Sequence, residues 1–155
     1  MPALLAVDLG LRTGLAGYRG DGRLDWYSSH HYADMDKLGQ GLRGLLDARP
    51  EVGRLVVEGG GPIAKAWLSE ARRRGIEARQ IGAELWRSRF FNPSERFDAK
   101  RAKRSADGLA RRVIAWSGAA RPTSLRHDAA EAIAIGLWGV LDAGWLDRLP
   151  PELGG

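Results

Sequence analysis

The chain has 155 residues and no cysteine, with 44% hydrophobic and 28% charged side chains. That length favours one domain around one core, and the missing cysteine excludes a disulfide framework, a thiolate zinc site and a cysteine nucleophile together. The 24 Lys/Arg and 19 Asp/Glu leave a formal charge of +5, unevenly spread: residues 72–112 hold 13 basic and 5 acidic side chains (+8), the remainder 11 and 14 (−3). A mildly acidic body with one basic stretch says more about an anionic partner than the total does. No apolar run reaches the roughly 18–20 residues of a membrane span, and the start lacks the basic segment of a secretory signal. No membrane partner and a cytoplasmic location are the expectations.

Leu4 to Val7 reads as a buried strand closed by Asp8-Leu9-Gly10. Thr13 to Tyr18 resumes an extended pattern, Arg19-Gly20-Asp21-Gly22 signals a hairpin, and Arg23 to Tyr32 supplies the return strand. Met35, Leu38, Leu42, Leu45 and Leu46 recur at helical spacing behind Asp34 as a cap, and Pro50 ends that helix. Arg54 to Glu58 is a second apolar strand ending in an acid. After Gly59-Gly60-Gly61-Pro62, a helix is expected over Ile63 to Arg74, a strand over Ile76 to Ile81 and a short helix over Ala83 to Phe91. Asn92-Pro93-Ser94 breaks the chain before a long basic helix, Asp98 to Trp116. The last helix runs from Arg126 to Leu141. This order predicts an α/β domain with a mixed five-stranded sheet and helices on both faces, spanning residues 1–148, and a loose tail over 149–155.

Four acids stand out. Asp8 and Glu58 each close a buried strand at its carboxyl end, where ligand sites gather in open α/β sheets. Asp128 and Glu131 share a face of the last helix at i, i+3 spacing, amid small apolar residues that suit packing on the sheet. Singly, each has an ordinary explanation, because a strand-end Asp-Leu-Gly makes turns and a first-turn acid serves the helix dipole. If the two strands are neighbours, the helix brings all four together. Four carboxylates in a water-poor site repel one another unless a cation joins them, and all-oxygen ligation favours Mg²⁺ or Mn²⁺. Two such ions about 3.5–4 Å apart suit phosphodiester hydrolysis.

These segments resemble a known family. Ala6-Val7-Asp8-Leu9-Gly10-Leu11-Arg12-Thr13-Gly14 is similar to the first motif of RuvC-type Holliday-junction resolvases, in the RNase H-like/retroviral-integrase superfamily. Leu55-Val56-Val57-Glu58 resembles their second motif. His127-Asp128-Ala129-Ala130-Glu131-Ala132-Ile133-Ala134-Ile135 resembles their last, with Glu131 where the family usually carries Asp. Order and spacing agree from Ala3 to about Val140.

The resemblance implies an RNase H-like fold, a homodimer and four-way DNA junctions as substrate. It implies two Mg²⁺ ions on Asp8, Glu58, Asp128 and Glu131, with Asp8 bridging, and cleavage leaving a 5′-phosphate and a 3′-hydroxyl. It also places a catalytic basic residue ahead of the final helix, which Lys100 or Lys103 matches, with Arg87 matching an earlier basic position. The loop after the second motif departs from the family. Gly59-Gly60-Gly61-Pro62 stands where resolvases often carry an aromatic wedge.

Lys100, Arg101, Lys103 and Arg104 lead the basic helix, and Arg87 and Arg89 precede it; these six are the candidate DNA contacts. Taken alone, such a run is more commonly a solvated helix surface; beside a carboxylate pocket, phosphate binding is the better reading. Trp86, Phe90 and Phe91 interleave with Arg87 and Arg89, as bases to stack on or as a helix packed on the sheet. Arg72-Arg73-Arg74 complements a helix end or contacts DNA. His127, beside Asp128, is a proton carrier, a helix cap or a surface residue. The leading expectation is a Mg²⁺-dependent resolvase. The alternatives are a same-fold nuclease for another branched DNA or RNA, and a non-catalytic nucleic-acid-binding module. An actin-like ATPase needs a second half for which 155 residues leave no room.

Overall fold

A computed structural model describes residues 2–154. Strands β1 (Ala3–Asp8), β2 (Arg12–Tyr18) and β3 (Leu24–His31) form an antiparallel meander. Helix α1 (Met35–Ala48) leads to β4 (Val52–Glu58), α2 (Gly61–Arg73), β5 (Glu77–Ile81) and α3 (Ala83–Phe90). A short 3-10 helix (Pro93–Arg96), α4 (Ala99–Ser117) and α5 (His127–Asp142) complete the chain. The sheet order is β3-β2-β1-β4-β5, with β4 parallel to both β1 and β5. This is the mixed five-stranded sheet expected from the alternation of apolar runs and helical patterns.

Successive side chains of a strand point to opposite faces, so β1 divides its residues between two cores. Leu5 and Val7 join Leu15, Leu55 and Val57 against Leu38, Leu42 and Leu46 of α1 and Trp67 and Ala71 of α2. Leu4 and Ala6 join Ala16, Tyr18 and Val56 against Leu109 and Val113 of α4 and Ile133 and Leu137 of α5. Each fully buried Leu or Val contributes about 1.5–3 kcal/mol. Helices therefore cover both faces. Local signals agree with this: Asp34 accepts a hydrogen bond from Lys37 N at 2.9 Å, and Asp98 accepts one from Arg101 N at 2.8 Å, capping α1 and α4.

Helix α5 is buried on every side from Asp128 to Val140, between the sheet and α4. Two glycines let it sit that close. A Cβ on Gly14 would lie 1.9 Å from the Asp128 carbonyl oxygen, and one on Gly136 would lie 2.2 Å from the Tyr18 ring. Tyr18 Oη donates to the Ile133 carbonyl, which fixes the depth of the helix on the sheet.

The segment expected as a loose tail behaves differently over its described part. Leu153 N donates to Pro150 O at 2.9 Å, and the turn returns Leu153 to the core with 1% exposure. Gly155 lies outside the described residues. Among the described residues no helix is long and apolar enough to cross a membrane.

Candidate active site

Asp8 and Glu58 are paired residues of the adjacent parallel strands β1 and β4, at their carboxyl ends. Gly14 is the antiparallel partner of Asp8 on β2, and over it lies the first turn of α5, carrying Asp128. The three elements thus gather Asp8, Glu58, Asp128 and Glu131 at one edge of the sheet. Asp128 and Glu131 are almost wholly buried, with 7% and 5% exposure.

Their charges act on one another. Burial, followed by the charges of Glu131, Glu58 and Asp128, raises the Asp8 carboxyl from 3.8 to about 8, with Arg87 opposing. Burial also raises Glu58, helped by the Glu131 charge and opposed by a Trp86 hydrogen bond and by Arg87.

Apart from Asp8, each acid has donors of its own. Asp128 accepts from Ser29 Oγ of β3 at 2.8 Å and from Ala129 N at 2.9 Å. Glu58 accepts from Trp86 Nε1 of α3 at 3.4 Å. Glu131 accepts from Arg87 Nη2 at 3.2 and 3.3 Å, and His127 Nε2 stands 2.6 Å from its Oε1. No three Asp, Glu, His or Cys groups among the described residues stand close enough together to hold one ion. The sequence suggested that the helix brings all four acids together; the structure sets them at the same end of the sheet, with no three close enough to share an ion. The donor set nonetheless fits a hard divalent cation: every candidate ligand is oxygen, and among the described residues no hydrogen-bond donor reaches the Asp8 carboxylate to offset three neighbouring acids.

No family model matches the sequence, and no curated protein matches it significantly. A solved structure does match: "T. thermophilus RuvC in complex with Holliday junction substrate", at TM-score 0.65 and 15% identity, over 93% of this chain and 96% of that one. The fold is RNase H-like, as in RuvC. The catalytic core domain of BIV integrase also matches, at TM-score 0.36 and 15% identity, over 90% of this chain and 80% of that one.

On this RNase H-like frame the basic candidates separate into two groups. Arg87, one-third exposed on α3, faces the acids and contacts Glu131. Lys100, Lys103 and Arg104 are exposed on α4 and form no ion pair among the described residues. Arg101 lies over the Phe97 ring and 4.0 Å from Asp98, and Arg89 lies over Phe90. None of these five touches the four acids. Of the three arginines at the end of α2, Arg73 and Arg74 serve locally by neutralising the buried Glu70, while Arg72 is exposed. Trp86 and Phe91 are buried edge-to-face at 6.2 Å, which selects the packing explanation for that aromatic cluster.

Sequence reasoning did not single out Ser29 as a donor to Asp128, nor Gly14 as the seat of α5. The RuvC-like first motif did include Gly14, but only tertiary packing shows why a side chain is excluded there. Positive φ values at Gly59 (125°) and Gly61 (76°) show that the glycines after β4 serve the turn into α2.

Proposed function

We propose that this chain is a Mg²⁺-dependent endodeoxyribonuclease that resolves four-way DNA junctions as a homodimer. The observation that carries the reading is the gathering of Asp8, Glu58, Asp128 and Glu131 at the carboxyl end of the central strands, with three acids acting on Asp8 against the single opposing charge of Arg87. Asp8 and Glu58 project from a rigid parallel pair, and Asp128 and Glu131 from a helix buried on all sides, so the ligand positions are held by the core. These four would hold divalent cations, with Mn²⁺ as a substitute for Mg²⁺. Bound there, such ions supply an activated water and stabilise charge on the phosphodiester oxygens.

The protein's own groups complete the work. Ser29 orients Asp128 by its 2.8 Å hydrogen bond, and Trp86 orients Glu58. Arg87 is the cation nearest the acids, in reach of a phosphate arriving at that edge. Lys100, Arg101, Lys103 and Arg104 of α4, with Arg89 of α3, bind the DNA backbone, and Lys100 or Lys103 approaches the scissile phosphate. Two sites related by a dyad match the two incisions that a four-way junction requires.

The test is cleavage of a synthetic four-way junction, a flap and a linear duplex, with Mg²⁺ or with EDTA. Paired symmetric nicks on the junction, abolished by EDTA and by Asp8→Asn, are expected. Cleavage of the flap, or of an RNA-containing substrate, in preference to the junction moves the substrate assignment. Binding without cleavage under every condition replaces the nuclease with a binding module.

A further inference from the structure

Phe97 is the most exposed large apolar side chain among the described residues, at 76% against 44% for Leu85 and 41% for Met35. It lies between the 3-10 helix and α4, and both sides of it are tied down. Asn92 and Glu95 cap each other reciprocally, at 3.0 Å from Glu95 N to Asn92 Oδ1 and 2.9 Å from Asn92 N to Glu95 Oε1. Asp98 caps α4 through Arg101 N, and Ser105 Oγ donates to Glu95 O at 2.8 Å. An aromatic ring held in water by that many backbone constraints is presented to something.

Its surroundings indicate what. The Arg101 guanidinium carbon lies 5.5 Å from the ring centroid, and Lys100 and Arg104 extend from the adjoining turns into solvent. The segment is also anchored toward the acids. Arg96 pairs with Glu84 of α3, and Arg87, one turn further along that helix, reaches Glu131. An exposed ring among phosphate-binding cations, joined through two ion pairs to a candidate nuclease site, matches the chemistry of a nucleobase face beside its own backbone. Inside an intact duplex both faces of each base are covered by neighbours, so the complementary surface is a base outside the stack.

We propose that Phe97 is a stacking platform for an unpaired DNA base, with Arg101 beside it on the strand. This rests on the reading of the chain as a nuclease of branched DNA, and it names the residue that separates branched DNA from duplex. The other aromatics near the basic segment are less available: Trp86 and Phe91 are buried, and Phe90 is partly buried against the core.

The test is binding in EDTA at low ionic strength. The ligands are a four-way junction carrying 2-aminopurine at successive branch-point positions and a duplex of the same sequence. Wild type is expected to prefer the junction and to change 2-aminopurine fluorescence at one branch position. Phe97→Ala is expected to lose that change and to weaken junction binding about tenfold, with duplex binding unaltered. Phe97→Trp should restore both, and Phe97→Leu, apolar without a π-face, should not. A Phe97→Ala variant that matches wild type in junction affinity and fluorescence overturns the platform while leaving the nuclease reading intact. So does one that keeps the fluorescence change but sediments as a smaller species than wild type, which reassigns Phe97 to a protein contact. A wild type that shows no preference for the junction overturns the branched-DNA reading itself, and with it the platform.

Discussion

Arg87 Nη2 stands 3.2 Å from one carboxylate oxygen of Glu131 and 3.3 Å from the other, which places a fixed positive charge on the most enclosed acid of the candidate site. The same guanidinium opposes the raised pKa of both Asp8 and Glu58. It therefore acts on three of the four acids while touching one.

Replacing it should expose that role. Arg87→Gln is expected to lower the thermal midpoint in EDTA by the equivalent of about 1–3 kcal/mol, because Glu131 loses a charged partner while staying buried. Saturating Mg²⁺ should shrink the deficit, since a bound cation gives Glu131 a new partner. Thermal unfolding in both conditions checks this; an equal deficit in both would make Arg87 a structural pin only.

Asp8 makes stability depend on pH in a definite direction. Its carboxyl titrates near 8 in the folded protein against 3.8 as an ordinary aspartate, so the folded chain holds the extra proton between those values. Stability without metal is then greatest at the acid end of that window and declines as pH rises through it. Asp8→Asn should flatten the decline and raise the thermal midpoint at pH 8 in EDTA. Mg²⁺ binding to wild type should release protons at neutral pH, measurable by calorimetry in buffers of different ionisation enthalpy.

Gly14 sets how closely α5 approaches the sheet. A Cβ there would lie 1.9 Å from the backbone oxygen of Asp128, so Gly14→Ala must push the first turn of α5 away from β2. The variant is expected to lose about 1–3 kcal/mol of stability by overpacking and to lose cleavage, because Asp128 leaves the acid cluster. On the proposed reading DNA affinity resides mainly in α4, and it should change little. Denaturant titration, cleavage and binding assays separate the three effects.

The α4 cations should reveal themselves through salt. Lys100→Ala combined with Lys103→Ala is expected to reduce the slope of log affinity against log salt by about 2, one phosphate contact per lysine. Metal affinity, measured by the same calorimetry, should stay at the wild-type value. An unaltered slope would remove both lysines from the DNA contact surface.

Much of the candidate site was legible in the sequence because its parts coincide with local signals. Asp8 and Glu58 end apolar runs, and Asp128 and Glu131 stand at i, i+3 on a helix rich in Ala and Ile, so each could be assigned to a face or an edge from its neighbours alone. Capping by Asp34 and Asp98 was legible for the same reason, since a cap is satisfied within a few residues. The contacts that escaped join distant positions. Arg87 and Glu131 are 44 residues apart and Ser29 and Asp128 are 99 apart, and no periodicity carries such pairs. Leu153 escaped as well, because a lone Leu among prolines and glycines looks like tail until a core is present to receive it.

The order of strands and helices, the alternation that sends β1 side chains to two cores, and the placement of the four acids on those elements are all written into the residue pattern. The absence of cysteine removed thiolate ligands, and the basic run of α4 raised the expectation of an anionic partner. The parallel pairing of β1 and β4 that sets Asp8 beside Glu58, the descent of α5 onto Gly14 and the exposure of Phe97 emerge only in the folded chain. The physical reason is range. Propensity, capping and amphipathic spacing act within one or two turns of chain, whereas burial and electrostatic coupling depend on what the folded chain brings alongside.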